Sequence, residues 1–324
     1  MNICEYKVKF FRGSNLKIVL KVGQSRAVWW KDHMVDLLPE HEIFLSEEVI
    51  DEDSIDLAIV WLPEEGWLRT FPNLKCIFSI GSGIDHILKD KYLPTHIPIV
   101  RLTGDDLSTR MREYVVLHVL RLHRKLPEVE ASQKSEEWNQ VIEPPANYRT
   151  VGVMGLGNLG ADCAKTLSKI GFNVLGWAKS EKSIEGIESY TGTTGLDAFL
   201  SKAEIVVCML PLTPETTGIM NNSFFNKMKD GSCIINVARG PHLNESDLLT
   251  AIENKKIRAA TLDVFEVEPL TKGHPFWKHK DILVTPHIAS LIDPVAGGKA
   301  IAENVRKFIS GDPIKELIPP GKNY

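Results

Sequence analysis

Short, continuous apolar runs alternate with segments of helical period along most of this chain. From Thr150 onward the runs are Thr150–Met154, Asn173–Trp177, Ile205–Leu210, Cys233–Val237, Ala259–Val264 and Ile282–Thr285. Runs of this length without period-two alternation read as strands covered on both faces. Their alternation with helices predicts six parallel strands in a doubly wound sheet. The part before it repeats the pattern on a smaller scale, with strands predicted over Leu16–Lys21, Leu57–Trp61, Cys76–Ile80 and Ile97–Arg101. Thr109–Lys125 and Pro294–Ile309 read as long helices flanking the larger sheet. Ser135–Arg149, with its Pro144-Pro145 pair, reads as a surface loop. The expected organisation is one α/β domain over residues 113–292, inserted in a smaller α/β domain made of residues 1–112 and 293–324.

The first strand of the larger domain runs straight into Gly155-Leu-Gly157-Asn158-Leu159-Gly160, followed by a helix over Ala161–Ile170 and a second strand. Glycine-rich turns are common, but strand, G-x-G-x-x-G, helix and strand together form the unit that holds a dinucleotide. Gly155 permits the tight turn, Gly157 lets the backbone approach a pyrophosphate, and Gly160 lets the helix pack close to the strand. The N–H groups and positive dipole end of that helix then face the phosphates, with Asn158 and Leu159 in the loop that leads into it. The fold class expected is α/β: a Rossmann doubly wound parallel-sheet cofactor domain inserted in a smaller flavodoxin-like α/β substrate domain. An NAD site usually carries an acid at the end of the second strand. Here Trp177 is followed by Ala178 where that acid would stand, then by Lys179, Ser180, Glu181 and Lys182. Glu181 would repel a phosphate if it pointed inward, whereas Lys179, Ser180 and Lys182 suit the 2′-phosphate of NADPH. NADPH is therefore the cofactor expected, with NADH as the alternative.

Ligands of such sheets lie outside the carboxyl ends of the strands, and three consecutive ends carry complementary chemistry. The fourth gives Asn236-Val237-Ala238-Arg239-Gly240, the fifth Leu262-Asp263-Val-Phe-Glu266-Val-Glu268-Pro269, and the sixth Thr285-Pro286-His287. A planar guanidinium at Arg239 suits the carboxylate of a 2-keto acid. A histidine that titrates near neutrality suits protonation of the ketone oxygen as hydride arrives. A carboxylate behind His287 would orient the ring and favour its charged form; spacing alone does not choose among Glu268, Glu266 and Asp263. Leu210 and Pro211 at the third strand end, with Val237 and Ala238 at the fourth, are expected to border the nicotinamide and its ribose. Asp263 is expected to meet the carboxamide.

These residues carry a resemblance. The segments Val153-Met-Gly155-Leu-Gly157-Asn-Leu-Gly160, Asn236-Val-Ala-Arg239-Gly240, Leu262-Asp-Val-Phe-Glu-Val-Glu268-Pro269 and Thr285-Pro-His287, together with Gly81-Ser-Gly83-Ile-Asp85 and Glu113-Tyr-Val, resemble the D-isomer-specific 2-hydroxyacid dehydrogenases over nearly the whole chain. Within that family the sequence is most similar to the glyoxylate/hydroxypyruvate reductase branch. The resemblance implies Arg239 as carboxylate binder, Glu268 as partner of the histidine and His287 as general acid and base. It also implies that the amides of Ser82 and Gly83 help hold the substrate carboxylate, and that Trp61 lines the substrate pocket. The activity implied is NADPH-dependent reduction of glyoxylate to glycolate and of hydroxypyruvate to D-glycerate. The alternatives are an NADH-dependent dehydrogenase for a bulkier 2-hydroxy acid and, more distantly, a dinucleotide-sensing regulatory protein. A homodimer formed through the Thr109–Lys125 helix and the Ser135–Arg149 segment is expected from the family.

Composition narrows the partners. A net charge of −4 with 25% charged residues provides no long-range pull toward nucleic acid or an acidic membrane. No apolar run approaches the roughly 20 residues of a membrane helix. The N-terminal stretch mixes charge with apolar residues and lacks a signal-peptide core, so a cytoplasmic protein is expected. The five cysteines, Cys4, Cys76, Cys163, Cys208 and Cys233, show no metal-binding spacing and read as reduced buried thiols. No metal is expected. Arg69 is expected at the surface, and His242, His274 and His279, in loop-like sequence, are expected to be solvated.

Overall fold

The computed structural model of the chain describes residues 15–321. Cys4 and the opening segment read above lie outside the described residues. The chain separates into two compact units, one running to Leu107 and resuming at Ile292, the other comprising Ser108–Leu291.

In the first unit the chain forms β1 (Lys17–Lys21), α1 (Gln24–Leu37), β2 (Glu42–Leu45), β3 (Leu57–Val60), β4 (Cys76–Ser79), α2 (Asp85–Leu88) and β5 (Ile99–Arg101). β3 and β4 are buried along their whole length, which is why they read as unbroken apolar runs. β2 went unpredicted because its four residues bury only alternate positions, too short a stretch for a periodic signal. The helix α3 (Asp105–His123) starts four residues before the predicted Thr109, with Asp105 and Asp106 in its first turn, where acids suit the helix dipole.

The second unit continues with α4 (Leu126–Lys134), β6 (Thr150–Met154), α5 (Asn158–Ile170), β7 (Asn173–Ala178), β8 (Glu188–Thr191), α6 (Gly192–Lys202), β9 (Ile205–Cys208), α7 (Asn222–Lys227), β10 (Ser232–Asn236), α8 (Glu245–Glu253), β11 (Ile257–Leu262) and β12 (Ile282–Val284). Its sheet has seven strands, all parallel, in the order β12-β11-β10-β9-β6-β7-β8. The six-strand expectation is corrected by β8, a polar edge strand (Glu188-Ser-Tyr-Thr) with no buried residue and hence no apolar signature. Alternate residues feed two cores. Val206 and Cys208 join Phe199 and Phe225, while Ile205 and Val207 join Val115, Val119 and Leu167. The order reverses at β6, whose neighbours are β9 and β7, so the switch point lies where the glycine-rich turn leaves the sheet.

The chain then returns to the first unit through α9 (Pro294–Ser310) and the two-residue β13 (Leu317–Ile318). The Asp293 carboxylate caps α9 by accepting from the amides of Val295 and Ala296, a strong start signal with Pro294 at the first helical position. A Cβ on Gly298 would come within 2.9 Å of a Leu37 methyl, so glycine there lets α9 lie close on α1. β13 pairs antiparallel with β5 and completes the order β13-β5-β4-β3-β1-β2, whose five parallel strands follow the flavodoxin-like sequence 2-1-3-4-5. Among the described residues, no helix is long and apolar enough to cross a membrane, and no group of histidines, cysteines and acids could hold a metal ion.

Candidate active site

The glycine-rich turn shows why each glycine is needed. Gly155 leaves β6 at φ +99°, and a Cβ on it would stand 2.6 Å from the Met209 carbonyl oxygen. A Cβ on Gly160 would lie 1.8 Å from the Gly155 carbonyl oxygen, so α5 begins directly against the turn. Gly157 differs: nothing lies within 4 Å of where its Cβ would be. It flanks α5 without any side-chain cap, so the amides of Asn158, Leu159 and Gly160 open the helix toward that space. Such a cradle fits the pyrophosphate of a dinucleotide.

Around it lie the other residues expected to meet the cofactor. Ala178 ends β7 as a buried residue, and the exposed Lys179, Ser180, Glu181 and Lys182 follow it. The Trp177 indole donates to the Gly192 carbonyl at 3.0 Å and packs against the core. Leu210 is buried and Pro211 exposed just past β9, while Val237 and Ala238 are buried past β10.

Arg239, Glu268 and His287 stand past the ends of β10, β11 and β12. Arg239 enters the short turn Gly240–His242, and its carbonyl accepts from the Asn236 side-chain amide at 3.0 Å. A Cβ on Gly240 would sit 1.8 Å from the Phe265 carbonyl carbon, so the Arg239 turn rests on the backbone that leads to Glu268. One oxygen of Glu268 accepts from the Phe265 amide at 2.9 Å, and the other lies 2.7 Å from Nδ1 of His287. Of the three carboxylates left open by spacing, Glu268 is the one on the histidine. Glu266 is exposed to solvent.

Asp263 does something else. It is buried, and its carboxylate accepts from the Thr285 hydroxyl at 2.6 Å and from the amides of Ile288 and Ala289 at 2.8 Å each. Its carbonyl accepts from the His287 amide at 2.9 Å. These four bonds hold His287 at φ +55°, a left-handed backbone that a side-chain-bearing residue keeps only when its surroundings over-determine it. Tyr114, from α3, extends the support with its hydroxyl 2.6 Å from the Thr285 hydroxyl. These bonds give Asp263 a part in shaping the His287 turn, beside the carboxamide contact expected of it.

The electrostatics follow from these contacts. Burial pushes the Glu268 carboxyl up, but the hydrogen bond and charge of His287, the Phe265 amide and the Arg239 charge outweigh it and hold the group below its ordinary value. For Asp263, burial wins over its hydrogen bonds and raises it. A carboxylate depressed in the folded state contributes stability that is full above its unfolded value and is lost as pH falls through its folded value. We expect the melting-temperature difference between the wild type and Glu268→Gln to shrink as pH falls below the ordinary glutamate value of about 4.3 and on through the lower folded value. A difference that grows as pH falls through that range would contradict the assigned shift.

In the first unit, Ser82 and Gly83 occupy the turn between β4 and α2. The Trp61 indole lies so close to Gly81 that a Cβ there would stand 2.2 Å from the ring, and it packs against His86 with centroids 4.7 Å apart and the planes tilted by 59°. Arg69 lies over the Tyr92 ring at 5.8 Å. The remaining histidines depart from expectation in one case. His274 pairs with Glu245 at 3.1 Å and His279 accepts from the Asp281 amide, whereas His242, expected to be solvated, is fully buried. Its ring bonds backbone groups on both sides, which makes burial tolerable and which no periodicity announces. Thr285 and Tyr114 were likewise not singled out, because they act on the histidine through Asp263.

The family profile described as "D-isomer specific 2-hydroxyacid dehydrogenase, NAD binding domain" matches residues 116–289. The chain is 39% identical over 266 residues to a glyoxylate/hydroxypyruvate reductase A of Serratia proteamaculans, covering 81% of this chain and 85% of that protein. The chain belongs to the D-isomer-specific 2-hydroxyacid dehydrogenases. Solved members of the family agree in fold. A D-isomer-specific 2-hydroxyacid dehydrogenase from Xanthobacter autotrophicus, in complex with NADPH and MES, superposes with a TM-score of 0.88 at 37% identity, covering 96% of this chain and 100% of that one. An NADPH-dependent glyoxylate/hydroxypyruvate reductase from Sinorhizobium meliloti, in complex with NADP and sulfate, gives a TM-score of 0.86 at 34% identity over 94% of this chain and 98% of that one. As a 2-hydroxyacid dehydrogenase the chain is an NAD(P)-dependent oxidoreductase, and the strand ends described above are where its chemistry is sought.

Proposed function

We propose that this dehydrogenase reduces small 2-keto acids with NADPH, converting glyoxylate to glycolate and hydroxypyruvate to D-glycerate. The observation that carries the reading is the Glu268–His287 pair at 2.7 Å on the strand end next but one to Arg239. Bound NADPH would supply the hydride to the carbonyl carbon. Arg239 binds the substrate carboxylate with two parallel N–H bonds and so orients the ketone. The His287 ring, its Nδ1 held by Glu268, gives the proton on Nε2 to the oxygen that becomes an alkoxide. The amides of Ser82 and Gly83 add to the carboxylate grip, and Trp61, held against Gly81, lines the substrate site; both assignments are supported by the family resemblance.

Cofactor choice is read from β7. Ala178 offers no carboxylate for a ribose hydroxyl, and Lys179, Ser180 and Lys182 offer charge and hydrogen bonds to a 2′-phosphate. Leu210, Pro211, Val237 and Ala238 are assigned to the nicotinamide side, and Gly155, Gly157, Asn158, Leu159 and Gly160 to the pyrophosphate. Replacing Lys179 and Lys182 together by alanine is expected to raise KM for NADPH by about ten- to a hundredfold, the range for losing charged hydrogen bonds, and to leave KM for NADH unchanged. Equal effects on the two cofactors would move the phosphate site elsewhere.

A homodimer is supported by exposed apolar residues on α3 and on the segment after α4: Leu117, Trp138, Ile142 and Tyr148, with Trp138 94% exposed. Among the described residues, four free, buried cysteines suit the cytoplasm. The substrate reading is tested by the product formed from hydroxypyruvate and NADPH. D-glycerate is expected, and L-glycerate would contradict the assigned face of reduction.

A further inference from the structure

The buried His242 ring joins two of the strand ends just described. Its Nδ1 lies 3.2 Å from the Arg239 amide nitrogen, and its Nε2 lies 3.2 Å from the Pro211 carbonyl oxygen. An amide can only donate and a carbonyl can only accept, so both contacts are hydrogen bonds in one form of the ring: neutral, with the proton on Nε2. Nδ1 also lies 3.0 Å from the Arg239 carbonyl oxygen, which would favour a proton on Nδ1 if that oxygen lacked donors. It does not lack them. The Asn236 side-chain amide donates to it at 3.0 Å, and the His242 amide does so at 3.3 Å.

The two segments tied by this ring are otherwise held apart in sequence. Pro211 opens the excursion after β9, where the Thr216 hydroxyl also donates to its carbonyl at 2.7 Å. The excursion is laced to the Arg239 turn by the backbone, with the Gly218 amide donating to the Pro241 carbonyl and the Met220 amide to the His242 carbonyl. On its other side the turn rests on Phe265 through Gly240. Backbone lacing sets the turn's distance from the excursion; the His242 ring is the bond made to the amide of Arg239 itself.

We propose that His242 is a positioning residue that fixes the Arg239 backbone to the Pro211 carbonyl, and thereby sets where the guanidinium meets the keto-acid carboxylate relative to the nicotinamide side of the site. The inference rests on the reductase reading given above. It needs a neutral ring with the proton on Nε2, the form in which both contacts are hydrogen bonds. A phenylalanine would fill the same space, take the ring acceptor from the Arg239 amide and leave the Pro211 carbonyl with the Thr216 hydroxyl as donor. A glutamine carries an acceptor and a donor and can restore both bonds.

The test is a set of three proteins, wild type, His242→Phe and His242→Gln, compared by steady-state kinetics with glyoxylate, by NADPH binding and by melting temperature. His242→Phe is expected to lower kcat/KM for glyoxylate by about ten- to a hundredfold, the range for stranding buried polar groups, chiefly through KM. NADPH affinity should change far less, and His242→Gln should recover most of the loss. In an Arg239→Ala background the further effect of His242→Phe should disappear, because the ring acts through that arginine. Unchanged KM in a folded His242→Phe protein, or additive losses in the double variant, would overturn the proposal. If His242→Phe does not fold, nitrogen NMR of the wild-type ring decides: a neutral Nε2–H ring from about pH 6 to 8 is expected, and a proton on Nδ1 overturns it. A wild-type enzyme with no keto-acid turnover would instead remove the reductase reading and leave the ring's protonation as the standing test.

Discussion

Alanine at position 287 is expected to lower kcat for keto-acid reduction by about a hundred- to ten-thousandfold, the contribution of a positioned general acid. The reason lies in charge. Hydride transfer alone would leave an alkoxide, a base far stronger than anything water at neutral pH can hold cheaply, and the Glu268–His287 pair is the arrangement at the strand ends that can deliver a proton as that charge develops. Removing the imidazole also deprives Glu268 of the partner that holds it below its ordinary value. NADPH affinity should change little, since the glycine-rich cradle and the lysines after β7 are on other strand ends. Stopped-flow binding and steady-state turnover on the same preparation separate the two. Turnover near the wild-type rate would show that the proton comes from another group.

The second large effect is expected at Arg239. Truncation of a charged partner in a desolvated, hydrogen-bonded pair costs about 2–5 kcal/mol, so Arg239→Ala should lower kcat/KM by roughly thirty- to several-thousandfold. The loss should fall mainly on KM for the keto acid, because the guanidinium binds the carboxylate in the ground state and the transition state alike. Arg239→Lys should recover only part of it, as a point charge cannot make two parallel bonds to a carboxylate. Keto-acid KM values equal to wild type in the alanine variant would sink the role.

The sequence made much of this legible because strands buried on both faces leave continuous apolar runs, and the functional groups of a parallel sheet follow directly after those runs. Thr150–Met154 is predicted and observed with the same bounds. Arg239, Glu268 and His287 could be picked out as complementary types past three adjacent strands. What escaped is what carries no pattern. β8 is a polar edge, β2 and β13 are too short for a period to show, and α3 begins four residues early because acids at its first turn do not look apolar. The choice among Asp263, Glu266 and Glu268 needed geometry, since all three lie within six residues. The support that Asp263 gives to the His287 turn escaped for a related reason: its bonds run to backbone amides that follow His287, and backbone partners leave no mark on residue type. His242 was misread in the same way, a buried imidazole whose partners are the Arg239 amide and the Pro211 carbonyl.

The central claim is most directly tested by following loss of the reduced-nicotinamide absorbance with glyoxylate and with hydroxypyruvate, in parallel reactions containing NADPH or NADH. Rapid oxidation of NADPH with both acids, and much slower oxidation of NADH, is the predicted result. No oxidation of either cofactor with either acid would contradict the account of the site as a small keto-acid reductase.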